Sequence, residues 1–142
     1  MLFGKRERRI NRIMIVEDEP LVAFENENML QEAGYVVVAT VDSYADAAEV
    51  MAREALDLIL SDISLAGEGS GADVARAAAA RGIPVLFVTG NSTDEVQALA
   101  VGCLAKPYAE RVLLGTLEAV DQHLQGRTPG RLPEELTLYV QA

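Results

Sequence analysis

Short apolar runs of strand length, each followed by a segment of helical length, constrain this chain more than any other feature of it. The runs are RIMIV (12–16), YVVVATV (35–41), LDLILSD (56–62), IPVLFVTG (83–90) and CLAK (103–106). Their near-continuous apolar character, without strict alternation, is that of strands buried on both faces, as in a parallel sheet with helices on either side. Five helices are predicted between and after them. Pro20 suits the first turn of the first helix and Gly34 its left-handed stop. Ser43 is placed to cap the second, with Asp46 as a weaker capping-box partner. ADVARAAAARG (72–82) is the third, STDEVQALAVG (92–102) with Ser92 and Glu95 the fourth, and the last runs from about Pro107 to Leu124. Residues 1–9 read as a basic arm, 10–125 as one α/β domain, and 126–142 as a free tail too short for an output domain.

The charge of −10 is unevenly spread: residues 1–12 hold five basic side chains and one acid, leaving seven basic and 21 acidic residues beyond them. Such a body repels nucleic-acid phosphates and anionic lipid, so neither is an expected partner. Apolar runs fall well short of the about 20 residues needed to cross a bilayer, and no signal peptide opens the chain. A cytoplasmic protein is therefore expected. The lone Cys103 reads as a small buried hydrophobe.

Ligands of an open doubly wound sheet bind beyond the carboxyl ends of its strands. Strand one delivers Glu17 and Asp18 there, strand three Asp62, strand four Thr89 and strand five Lys106, from segments separated by 45, 27 and 17 residues. Three converging carboxylates repel one another unless a cation sits among them. Mg2+ fits: it takes oxygen ligands and keeps several waters. Lys106 can pair with Asp62 at rest and with an added anion later, and Thr89 can donate its hydroxyl to the same anion. An aspartate so placed is a competent nucleophile toward phosphorus.

In that order and spacing, IVEDEP, LILSD, VLFVTG and AKPY resemble the motifs of response-regulator receiver domains, over residues 10–124. The resemblance implies a flavodoxin-like five-stranded sheet of order 2-1-3-4-5 with five helices. It implies that Asp18 binds Mg2+ directly, Glu17 through water, and Asp62 and the Ser64 carbonyl as further ligands. Asp62 would accept phosphate from a phosphohistidine of a histidine kinase or phosphotransferase, with Thr89 and Lys106 on the phosphoryl oxygens. A phospho-accepting signalling protein, catalysing no more than its own phosphotransfer and dephosphorylation, is expected rather than an enzyme.

Two positions depart from the common receiver pattern. Cys103 stands where most receivers carry an aromatic switch residue, and SLAGEGSG (64–71) replaces a methionine-proline turn. With PVLFVTG and KPY, that loop resembles the alphaproteobacterial single-domain subgroup known by its FAT GUY motif, and receivers of the general stress response, which implies a downstream stress-response regulator as partner. Gly90, leaving room above the site, suggests a phosphate intermediate or sink. The main rival is a docking module indifferent to phosphate. A haloacid-dehalogenase phosphatase would need an acid two residues after its nucleophile, where Ser64 stands, and a flavin carrier could not seat a phosphate on VEDEP.

Overall fold

The computed structural model describes residues 8–65, 67–89 and 99–139. Strand β1 (Arg12–Val16) is followed by α1 (Pro20–Glu32), β2 (Val36–Val41), α2 (Tyr44–Arg53), β3 (Leu58–Asp62), α3 (Gly71–Ala79), β4 (Val85–Thr89), β5 (Gly102–Ala105), α4 (Glu110–Leu124) and β6 (Leu136–Leu138). The sheet order is β2-β1-β3-β4-β5-β6. Pairings from β2 through β5 are parallel, as expected, whereas β6 runs antiparallel to β5. The fold is flavodoxin-like, with one strand more than the five expected. The fourth expected helix, with Ser92 and Glu95, and Gly90 fall mainly outside the described residues.

Successive strand side chains point to opposite faces, and this alternation divides the core in two. Ile13, Ile15, Leu58, Leu60, Leu86 and Leu104 face α1 and α4, where Leu30, Leu113 and Leu117 meet them. Met14, Val16, Ile59, Phe87 and Cys103 face α2 and α3, against Ala47, Val50, Val74 and Ala78. Both faces being covered is why β1, β3, β4 and β5 read as near-continuous apolar runs.

The helix ends follow from local chemistry. Pro20 opens α1 and Gly34, at φ +92°, ends its final turn. Ser43 accepts the Asp46 amide at 3.2 Å, the expected cap of α2. Ser70 and Asp73 form a capping box on α3 that the sequence reading missed. The last helix starts at Glu110, not at Pro107, whose peptide bond with Lys106 is cis.

The free tail expected from Gly126 onward is corrected by β6. Leu136 and Tyr139 are buried, and the Tyr139 amide donates to the Val101 carbonyl at 2.9 Å. At the other end, Arg8 and Arg9 are docked rather than loose. The Arg8 guanidinium lies 4.1 Å from the Tyr35 ring centroid, and the Arg9 amide donates to buried Asp121. Asp57 accepts the Asn11 and Arg12 amides, far from the acid cluster.

Candidate functional site

The carboxyl ends of β1, β3 and β5 meet at one rim. Glu17 follows β1 with its amide still bonded to the Val41 carbonyl at 2.9 Å, so its backbone is fixed by β2. Asp62 is the last residue of β3 and Lys106 the first after β5. The Lys106 ammonium donates to Glu17 Oε1 at 2.9 Å and to Asp62 Oδ2 at 3.0 Å. Three of the residues expected at the site are thus joined directly.

Asp18 completes the acid group: Glu17, Asp18 and Asp62 each offer an oxygen, all within 4.8 Å of one another. Burial raises the Glu17 pKa, an effect that the hydrogen bond from Lys106 only partly offsets. Burial disfavours the charge of Lys106, but its bonds to Glu17 and Asp62 outweigh that and hold the ammonium protonated well above its ordinary range. One ammonium among three carboxylates leaves a deficit of two positive charges, and every donor is oxygen. A hard divalent cation matches both properties.

Thr89 ends β4 one residue beyond Val88, the β-partner of Asp62. It is buried, is the β-partner of Ala105, and its carbonyl accepts the Lys106 amide at 3.0 Å. Thr89 is therefore tied to the backbone that delivers the lysine. At Ser64 the contact made is through the amide, which donates to Asp62 Oδ1 at 3.3 Å.

The glycines after Asp62 have different jobs. A Cβ on Gly71 would lie 2.3 Å from the Asp62 carbonyl oxygen, and the Gly71 amide donates to the Ile63 carbonyl at 2.7 Å. Gly71 thus lets the start of α3 press on the backbone of the acceptor aspartate. Gly67 and Gly69 have positive φ, and the backbone at Gly69 packs against Tyr44.

Sequence reasoning missed Asn26. Buried in the middle of α1, it accepts the Tyr108 hydroxyl at 3.0 Å, so the segment after Lys106 is stapled to α1. A polar residue in register with Ala23 and Leu30 on a buried helical face was the available signal. Glu27 is half-buried and accepts the Thr40 hydroxyl at 2.8 Å. Leu21 and Phe24, by contrast, are 68% and 61% exposed one turn apart, beginning three residues after Asp18. Among the described residues no helix is long and apolar enough to cross a membrane.

Comparison with known proteins adds to this geometry. Residues 13–118 match the family model described as response regulator receiver domain. The chain is 34% identical over 110 residues to the TorCAD operon transcriptional regulatory protein TorR of Escherichia coli, covering 73% of this chain and 47% of TorR. It spans about half the length of the curated relatives it matches. Among solved structures it resembles the chemotaxis response regulator CheY4 of Vibrio cholerae, with TM-score 0.71 and 26% identity over 78% of this chain and 98% of CheY4. The response regulator PhyR of Brucella abortus aligns with TM-score 0.69 and 26% identity, over 84% of this chain and 51% of PhyR. Topology, strand-end chemistry and family match converge, and the chain belongs to the response-regulator receiver-domain family.

Proposed function

We propose that this chain takes a phosphoryl group from the phosphohistidine of a histidine kinase or phosphotransferase onto Asp62, and signals through altered affinity for a protein partner. The observation that carries this reading is Lys106 held between Glu17 and Asp62 at 2.9 and 3.0 Å within a three-carboxylate cluster. Receiver domains are phospho-accepting signalling modules that work with such partners and generally bind Mg2+ at an acidic pocket. In the reaction an Asp62 oxygen attacks phosphorus, the P–N bond to imidazole breaks with its electron pair going to nitrogen, and an acyl phosphate forms.

Glu17, Asp18 and Asp62, with the Ser64 carbonyl, would hold Mg2+, which when bound offsets the charge of the incoming phosphoryl oxygens. Lys106 pairs with Glu17 and Asp62 at rest and is positioned to pair with those oxygens. Thr89 supplies a hydroxyl on the neighbouring strand. Leu21 and Phe24 give α1 an apolar patch beside the rim, suited to a helical phosphodonor. The net charge of −10 favours protein over nucleic acid as partner, and a phosphohistidine donor fits a cytoplasmic setting. Within the family, the glycine loop, PVLFVTG and KPY support the FAT GUY and general-stress-response subgroup, with a stress-response regulator downstream.

Incubation with a phosphohistidine donor and Mg2+ should add one phosphoryl group to the peptide containing Asp62, read by mass spectrometry. Asp62→Asn should remove it. Signalling in cells left unchanged by Asp62→Asn would instead support the phosphate-independent docking module.

A further inference from the structure

The C-terminal strand is seated on the strand that delivers Lys106. In β5, Ala105 is flanked on both sides: it pairs with Thr89 of β4, and its amide donates to the Glu135 carbonyl, just before β6, at 2.9 Å. The next residue is Lys106, whose amide returns to the Thr89 carbonyl. A single row of backbone therefore runs from the site through Ala105 into the C-terminal segment.

The seat is built for its occupant. A Cβ on Gly102 would lie 2.6 Å from the Thr137 carbonyl oxygen, so β5 carries glycine where β6 comes closest. Leu136 enters the core under α1 and α4, while Tyr139 enters the opposite core and its hydroxyl hydrogen-bonds the Cys103 sulfur. The segment is thus pinned on both faces of the sheet. It is also the shortest strand of the sheet: β6 has three residues, and residues 125–135 leading to it form no helix or strand.

We propose that β6 is a detachable strap, seated when Asp62 is free and loosened when Asp62 is phosphorylated. The proposal rests on phosphoryl acceptance at Asp62. Lys106 is fixed at rest by two carboxylates; a phosphoryl group on Asp62 places new anionic oxygens farther from β3, and Lys106 follows them. The shift reaches Ala105, which is bonded to β4 on one side and to the C-terminal segment on the other. The β4 ladder has four pairs and lies inside both cores, whereas β6 has three at the sheet edge, so the edge gives first. By linkage, freeing β6 must tighten the hold of Asp62 on a phosphoryl mimic by the same factor by which the mimic favours release.

Hydrogen exchange on the full chain tests this, with Mg2+ alone, with acetyl phosphate and with beryllofluoride, while intact mass or fluorine resonance reports occupancy of Asp62. With Asp62 occupied, the Tyr139 and Ala105 amides should exchange about tenfold faster, and the Val88 amide should not change. Unchanged or slower exchange at Tyr139 with Asp62 occupied would overturn the strap. Asp62 remaining unoccupied under every condition would instead overturn phosphoryl acceptance, and the strap with it. Gly102→Ala gives an independent arm: with β6 pushed off, beryllofluoride should bind about tenfold more tightly. Equal affinity despite fast Tyr139 exchange would break the coupling.

Discussion

Lys106 does two things at once: it neutralises part of a carboxylate cluster and fixes where those carboxylates point. Lys106→Met should leave the fold intact but slow phosphorylation by a small phosphoramidate donor about 100-fold, the scale of losing one charged stabiliser of a transition state. Quenched time courses read by mass would show it. Cys103 makes a second case. Burial pushes its thiol above the ordinary 9.0 despite the Tyr139 hydroxyl, so the native state keeps this proton longer than the unfolded chain does. Its contribution to stability is complete below about pH 9 and is lost as pH rises through the folded value. Urea titrations at about pH 8 and about pH 10 should show a smaller loss of stability in Cys103→Ser than in the parent. The Cys103 burial, the Glu17, Asp18 and Asp62 cluster and Lys106 were legible because each lies in or just after a short apolar run of strand length. Asn26 was not, since its partner Tyr108 lies 82 residues away and only the fold brings them together.

At the level of elements, α3 lies close to its expected place, but the contact at its first residue was not foreseen. The last glycine of GEGSG is a contact: the backbone of α3 rests on that of Asp62. Gly71→Ala must displace either the helix or the acceptor strand. It should cost about 1–3 kcal/mol in urea unfolding, as overpacking does, and slow acceptance at Asp62 more than an Ala substitution at Gly67, which has open space around it. The five strands were readable from their near-continuous apolar runs, while their order came from the resemblance to receiver domains. The strand β6 was not, because ELTLYV follows two prolines, is short, and gains its structure from pairing with residues far back in the chain. Gly102 was the hint available: a glycine at the head of an apolar strand marks a close backbone approach.

For the whole molecule, the addition of β6 changes which edges the sheet presents. Its flanks are β2 on one side and three residues of β6 on the other, so Gly102–Ala105 lies inside the sheet rather than at its border. A bare β5 would offer a row of apolar residues with unpaired amides and carbonyls, the surface on which sheets of separate molecules add to one another. A chain ending at Arg131 should therefore self-associate with rising concentration more than the 142-residue chain does, seen by sedimentation velocity. Identical sedimentation of the two would show that the edge is guarded some other way. The final strand thus gives the protein a guard against sheet-to-sheet polymerisation, and any signal that lifts it must also limit how long that border stays open.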